Sequence, residues 1–182
     1  MLDVNSTQKR IAAQTMAFKV AAVQMASGPN LTGNLSEARR LIAMAADQGA
    51  RLVVLPEYFP IMGMRDTDKV MMREQPGKGV IQSFLSDAAR EHKIWLVGGS
   101  IPLAASVPEK VRNTCLVFDE HGVQVARYDK IHLFNLDLGN EHYHEARTIE
   151  PGKEVVVVDS ECVCARIASA CPRSSRRDSR PP

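Results

Sequence analysis

The sequence predicts a mixed α/β fold, and three features of the chain support this prediction. Short apolar runs alternate with longer amphipathic stretches, which is the pattern of strand, helix and strand in a sheet with parallel members. Two of the apolar runs end in a charged residue, Glu57 and Lys130. Two further apolar runs flank the turn-forming residues 119–122 and indicate a β-hairpin. With 182 residues, 45% of them hydrophobic, the chain can bury the core of one domain.

The first elements form a βαβ unit. Residues 19–25 are a short apolar run that predicts a buried strand. Asn34 is the predicted N-cap of the following helix, because Glu37 stands three positions later as in a capping box, and Gly49 ends that helix. Residues 51–55 form the second strand. The two strands are therefore expected to be parallel neighbours with a right-handed crossover.

Glu57 follows the second strand, and ligands of such sheets gather where parallel strands end. A long loop at residues 59–79 comes next, and a loop of this length is typical of a segment that shapes a site or is disordered. A helix over residues 80–92 and a strand over residues 94–97 continue the alternation, and Gly98-Gly99-Ser100 ends it.

The hairpin consists of residues 113–118 and 123–128, and its second strand leads directly to Lys130. Another apolar strand is predicted near residues 155–159. The sequence thus divides into a flexible extension at residues 1–17, a domain at residues 18–160 and a divergent tail at residues 161–182. The tail is rich in Arg, Ser and Pro and is predicted to be disordered.

Charge and cysteine content exclude several classes of function. The formal charge is +2, and residues 173–182 alone carry four Arg and one Asp, so the main body is not basic and nucleic-acid binding has no support. No apolar run reaches the roughly 18 residues of a membrane span. Neither paired CxxC spacing nor a signal sequence is found, so reduced thiols in the cytoplasm are expected. The four cysteines are Cys115, Cys162, Cys164 and Cys171.

Glu57 and Lys130 have both a structural and a catalytic interpretation. A carboxylate after a strand commonly caps a helix or forms an ion pair, and most lysines are solvated. Together, however, a buried Glu can act as a base, while a neighbouring Lys stabilises a developing oxyanion. Such a pair can activate a thiol, which is mostly protonated at neutral pH when unperturbed.

Several motifs resemble the nitrilase superfamily of carbon-nitrogen hydrolases, in that family's order. The most specific is Tyr128-Asp129-Lys130-Ile131-His132-Leu133-Phe134. The others are Val20-Ala21-Ala22-Val23-Gln24-Met25, Leu55-Pro56-Glu57, Gly98-Gly99-Ser100 and Asn113-Thr114. The resemblance implies an α-β-β-α sandwich, incomplete here at the C-terminal end, and a homodimer. It also implies hydrolysis of a small nonpeptide amide or nitrile through a cysteine thioester, without metal or organic cofactor.

The resemblance also implies roles for individual residues. Glu57 corresponds to the general base and Lys130 to the residue that stabilises the tetrahedral intermediate. Glu145 resembles a second glutamate that positions the Lys, and a loop carboxylate that bonds nearby amides is the alternative. Tyr58 is expected either to line the substrate pocket or to be an ordinary aromatic of the rim. A metal site at His132, His142, His144 and Glu145 is disfavoured, because no complementary ligand cluster accompanies them.

Cys171 is the candidate nucleophile, and its surroundings depart from the family pattern. It follows Arg166 one position too early, and Pro172-Arg173 stands where the family has Tyr-Asp. Three interpretations are open: a displaced nucleophile, an accidental cysteine in an out-of-frame tail, or a small buried residue. The change of composition suggests a reading-frame shift near residues 160–168. The sequence therefore predicts an amidase-type hydrolase, impaired in this chain, or alternatively a catalytically inactive truncated fragment.

Overall fold

The computed structural model describes residues 18–138, 141–159 and 166–169. Cys162, Cys164 and Cys171, the predicted N-terminal extension and most of the predicted tail lie outside the described residues. The helices are α1 Leu31–Asp47, α2 Asp68–Met71 and α3 Val80–His92, with a 3-10 turn at Glu145–Arg147. The strands are β1 Lys19–Ala22, β2 Ala50–Val54, β3 Trp95–Val97, β4 Ile101–Ala104, β5 Val111–Phe118, β6 Gln124–Asp129, β7 Asn135–Leu138, β8 Glu141–His144, β9 Val156–Asp159 and β10 Arg166–Ser169.

A six-stranded mixed sheet forms the centre of the fold. Strands β1, β2 and β3 are parallel neighbours, which confirms the predicted βαβ unit. Strand β5 runs antiparallel to β3, β4 and β6, and the β5–β6 pair confirms the predicted hairpin. Helix α3 lies where the sequence predicts it, and the predicted loop at residues 59–79 contains the short helix α2.

Strands β3 and β4 are two parts of one broken strand along β5. Val97 pairs with Val117, and Ile101 pairs with Thr114, so one extra residue is inserted between the two pairs. Such a β-bulge bends the strand locally and is common beside functional sites. The bulge contains Gly98-Gly99-Ser100 and lies against residues 56–58, which follow β2.

Helices α1 and α3 cover one face of the sheet. In α1 the buried positions Asn34, Ala38 and Ile42 recur every fourth residue, so they form one stripe toward the sheet. The core on this side consists mainly of aliphatic side chains of both helices and of β2, β3, β4 and β5: Ala38, Ile42, Ala50, Val53, Leu55, Phe59, Ile81, Phe84, Leu85, Ala88, Ala89, Ile94, Leu96, Ile101, Leu103, Leu116 and Phe118.

The predicted N-cap of α1 is wrong. The cap is Asn30, whose side chain accepts a hydrogen bond from the Gly33 N–H at 3.0 Å. Asn34 instead lies inside the helix, where its amide donates to the carbonyl oxygens of Gly28 at 2.7 Å and Pro60 at 2.9 Å. Asn34 joins two loops to the helix, and contacts this distant along the chain leave no local sequence pattern.

The opposite face of the sheet carries a second apolar cluster, formed by Leu52, Trp95, Val97 and Val117. Val158 of β9 packs against this cluster, and β9 pairs with β10 in an antiparallel two-stranded sheet. This small sheet begins a second β layer, as an α-β-β-α sandwich requires. None of the described helices is long and apolar enough to cross a membrane.

Candidate active site

Close backbone contacts at the C-terminal ends of β2 and β3 position Glu57. The Leu55 N–H donates to the Val97 carbonyl oxygen at 2.9 Å, which continues the ladder beyond β2. Gly99 has φ +56°, and a Cβ at this position would overlap the carbonyl oxygen of Pro56. Ser100 Oγ accepts a hydrogen bond from the Tyr58 N–H at 3.0 Å. The bulge therefore fixes the backbone on both sides of Glu57.

Lys130 lies at the end of β6 and is held by its neighbours in the sheet. Its N–H donates to the carbonyl oxygen of Asn113 at 2.9 Å, and its own carbonyl oxygen accepts from the Gly152 N–H at 2.9 Å. The Lys130 side chain extends from the end of β6, the second strand of the hairpin, to Glu57, which follows β2. Two charged residues that are 73 positions apart in the chain thus meet at one edge of the sheet.

The Lys130 ammonium bridges two carboxylates. Its Nζ lies 3.1 Å from Glu57 Oε1 and 3.0 Å from Glu145 Oε2. Desolvation by burial lowers the pKa of Lys130, but the hydrogen bonds to Glu145 and Glu57, together with the negative charges of both carboxylates, outweigh it, so the pKa is raised. Glu145 begins the 3-10 turn and also accepts a hydrogen bond from the Phe134 N–H at 2.7 Å. The structure thus brings together three of the predicted site residues.

Asn113 is a member of this cluster that the sequence analysis did not place in the site. Its Nδ2 donates to Glu57 Oε1 at 2.6 Å, and the residue is only 2% exposed. It was visible in the sequence only as part of a family motif. The available signal is its position: a polar residue on the hairpin strand that precedes Lys130, with the apolar Val111 and Cys115 two positions away on the same face of the strand.

A cavity of about 280 Å³ opens beside Glu57 and Lys130. Its walls are mostly apolar, and three of its polar lining residues, Glu57, Lys130 and Asn113, are joined by hydrogen bonds. The lining consists of Val54, Leu55, Glu57, Val97, Gly99, Ser100, Asn113, Cys115, Tyr128 and Lys130. A small molecule with an apolar body and one polar end matches this distribution.

Tyr58 is not among the residues that line this cavity. It borders a neighbouring cavity of about 140 Å³ formed by the loop at residues 61–69. Burial and then the negative charges of Glu145, Glu57 and Asp66 raise the pKa of Tyr58. Lys69 Nζ lies 5.6 Å from the centre of the Tyr58 ring. The Tyr58 hydroxyl has no hydrogen-bond partner within the described part of the chain.

Cys115 is the thiol that lines the cavity, but its environment does not activate it. Burial raises the pKa of Cys115 to about 11, so the thiol is protonated at neutral pH. Cys171 lies outside the described residues. Over the ranges that the structure describes, no group of three or more His, Cys, Asp or Glu side chains is arranged to hold a metal ion.

The sequence profile of the carbon-nitrogen hydrolases matches residues 19–171. The chain belongs to the carbon-nitrogen hydrolase family. It is 38% identical over 143 residues to "Nitrilase homolog 2" of Dictyostelium discoideum, covering 78% of this chain and 43% of that protein. It is 36% identical over 152 residues to "Omega-amidase NIT3" of Saccharomyces cerevisiae, covering 79% and 52% respectively. This carbon-nitrogen hydrolase chain thus spans about half the length of these curated relatives.

Solved structures agree with the family membership. The structure of Saccharomyces cerevisiae Nit3, a member of branch 10 of the nitrilase superfamily, superposes with a TM-score of 0.68 at 31% identity, covering 79% of this chain and 52% of that chain. The likeness confirms the predicted fold class, an α-β-β-α sandwich that this carbon-nitrogen hydrolase chain contains in part.

Proposed function

We propose that the site around Glu57 and Lys130 hydrolyses the carbon–nitrogen bond of a small nonpeptide amide to a carboxylic acid and ammonia. The observation that carries this proposal is the Lys130 ammonium, 3.1 Å from one carboxylate and 3.0 Å from another at the rim of a cavity. Family membership supports it, and so does the name omega-amidase on a relative that is 36% identical.

The proposed reaction passes through a thioester. Glu57 accepts the proton of a cysteine thiol as the sulfur attacks the amide carbonyl carbon, and a C–S bond forms. Lys130 and a backbone N–H stabilise the negative oxygen of the tetrahedral intermediate. The proton then passes from Glu57 to the nitrogen, the C–N bond breaks, and ammonia leaves. Water, deprotonated by Glu57, cleaves the thioester and restores the thiol.

Glu145 and Cys171 complete the proposed arrangement. Glu145 contacts Lys130 and not Glu57 among the described residues, so its proposed role is to hold the ammonium in place. Cys171 is the proposed source of the sulfur, and the family match includes this position. Cys115 is a poorer candidate, because the pKa of its thiol is about 11.

The cavity supports a small substrate. Its volume of about 280 Å³ is just below the roughly 300–1,000 Å³ that is usual for ligand pockets, and its lining is mostly apolar. A short aliphatic amide or ω-amide, with its carboxamide placed at Glu57 and Lys130, is the proposed substrate class. Action in the cytoplasm and association into a homodimer stay predictions.

Ammonia release from a panel of short aliphatic amides and dicarboxylic acid monoamides tests the proposal. We expect release by the wild-type chain and at least a 100-fold loss, by order of magnitude, in E57Q and in K130M. The control is E91Q, because Glu91 forms an exposed ion pair with Arg39 on the helical layer. If no amide in the panel releases ammonia, the proposal is wrong and the alternative of an inactive chain applies.

A further inference from the structure

We propose that Asn113 is a positioning residue that orients Glu57, so that Glu57 Oε2 and not Oε1 takes up the thiol proton. This inference rests on the proposed function for the identity of the base. The contact itself is a property of the fold and can be tested without turnover.

Both donors near Glu57 reach the same oxygen. Asn113 Nδ2 lies 2.6 Å from Oε1, and Lys130 Nζ lies 3.1 Å from it. Within the described residues no donor reaches Oε2, and the Glu57 side chain is 55% exposed. An oxygen that accepts two hydrogen bonds, one from a cation, has less electron density available for a proton. Proton uptake is therefore directed to Oε2.

Asn113 is better suited than Lys130 to fix the carboxylate. It is 2% exposed, and its backbone pairs with Pro102 in the β4–β5 ladder. The Lys130 ammonium contacts both Glu57 and Glu145, so its attraction to Glu57 does not by itself fix one orientation of the Glu57 carboxylate. Asn113 also accepts the Lys130 N–H through its carbonyl oxygen at 2.9 Å. One buried residue thus holds Glu57 by its side chain and Lys130 by its backbone.

The orientation of the Asn113 amide follows from charge. If the amide were rotated by half a turn, Oδ1 would face the Glu57 carboxylate and repel it. In the observed orientation Oδ1 is buried and has no partner in the described part of the chain. A buried acceptor without a partner is unfavourable, so packing alone does not explain an asparagine here. Its contact with Glu57 does.

Chemical labelling of carboxyl groups tests the contact between Asn113 and Glu57. A water-soluble carbodiimide with an excess amine is applied to the full chain, and Glu57 labelling is followed by peptide mass spectrometry. A carboxylate oxygen that accepts the Asn113 N–H is a weaker nucleophile toward the carbodiimide than one without this hydrogen bond. We therefore expect labelling at Glu57 to be about fivefold faster in N113L and also in N113D, which retains the side-chain shape but lacks the N–H donor.

The matched control is T114V. Thr114 is fully buried in the same strand but belongs to the other face, where its hydroxyl donates to Asp129 Oδ1 at 2.6 Å. We expect T114V to leave Glu57 labelling within about twofold of the wild-type rate, since it removes a hydrogen bond of similar type elsewhere. An unchanged Glu57 rate in both Asn113 variants, or an equal increase in T114V, would overturn the proposal.

Kinetics provide a second measurement. A positioning role lowers kcat of N113D by about tenfold or more with KM nearly unchanged, because the Nδ2 hydrogen bond is made to the base. An increased KM with unchanged kcat would instead assign Asn113 to substrate binding and overturn the proposal. If the wild-type chain releases no ammonia, the proposed function fails, whereas the labelling result still decides whether Asn113 holds the Glu57 carboxylate in the folded chain.

Discussion

Lys130 contacts two carboxylates, and this arrangement determines the pH at which its ion pairs contribute to stability. Its pKa is raised in the folded chain. The contribution is therefore complete below the unfolded pKa of about 10.4 and is lost as the pH rises through the higher folded value. At neutral pH the ammonium is charged, as the stabilisation of an oxyanion requires.

Urea unfolding of K130M at several pH values measures this contribution. We expect the variant to be less stable than the wild type by about 1 kcal/mol at pH 7, since the pairs are partly exposed. The difference should shrink above about pH 10.5 as Lys130 loses its proton. The exposed Lys153 supplies the control K153M, which should match the wild type throughout. A K130M deficit that is constant from neutral to strongly alkaline pH would contradict the ion-pair account.

Cys115 is expected to be a slowly reacting thiol. Burial raises the pKa of Cys115 to about 11, so little thiolate is present at pH 8. We predict that iodoacetamide labels Cys115 in the native chain at least about 100-fold more slowly than in urea, as read from the Cys115 peptide. Labelling at the same rate in both states would show that the cavity floor is open to solvent and that burial does not protect the thiol.

The β3–β4 bulge is the element on which the position of Glu57 depends. Gly99 combines a left-handed backbone with a close approach to Pro56. Gly77 has a similar φ of +76° but has no atom within 4 Å of an added Cβ. A side chain at Gly77 would meet only the cost of the left-handed backbone, whereas one at Gly99 would also collide with the backbone of Pro56.

Alanine at the two glycines should have unequal effects on the free energy of unfolding. We expect G77A to cost about 1 kcal/mol, from the left-handed conformation alone. G99A should cost at least about 2 kcal/mol, because backbone must also move away from the new methyl group. Displacement of Pro56 moves the adjacent Glu57. Thermal or urea unfolding of both variants measures the two costs. Equal losses of unfolding free energy in G77A and G99A would contradict the role given to the bulge.

The N-cap of helix α3 is Gly79, which has no side chain, and the carboxylate of Glu74 takes over the capping. Glu74 accepts from the N–H groups of Ile81 at 2.6 Å and Gln82 at 3.1 Å. Removal of these bonds in E74A should lower the free energy of unfolding by about 1–2 kcal/mol, as for loss of an N-cap. E91A, at the exposed end of the same helix, should change it by less than about 0.5 kcal/mol. Equal urea-unfolding midpoints for both variants would contradict the capping role.

The elements also show what sequence can and cannot predict. Helix α3 and the β5–β6 hairpin were predictable, because their periodicity and turn residues are local. The cap of α1 was assigned wrongly, since the hydrogen bonds of Asn34 to Gly28 and Pro60 decide its place. The meeting of Glu57 and Lys130 was predictable because both end strands of one sheet. The contact of Asn113 with Glu57 depends on strand register, which no local pattern encodes.

At the scale of the whole molecule, the sheet has two unlike faces. Two helices cover one face, whereas Val158 of β9 packs against the other. The candidate site opens between strand ends at the rim of this sheet, and its cavity extends toward Val97 and Cys115. Glu57 and Lys130 follow strands of the six-stranded sheet, whereas Glu145 follows β8, which pairs with β7 in a separate two-stranded sheet. Cys171, the proposed source of the sulfur, lies outside the described residues.

Mass spectrometry of the chain, quenched in acid during incubation with the amide panel, tests most directly whether this cluster serves a thioester reaction. We predict a mass increase equal to the acyl part of the amide on one cysteine of the wild-type chain, mapped by digestion to Cys171. The same increase should be absent from E57Q. A wild-type chain that carries no acyl group on any cysteine, whether or not it releases ammonia, would contradict this account.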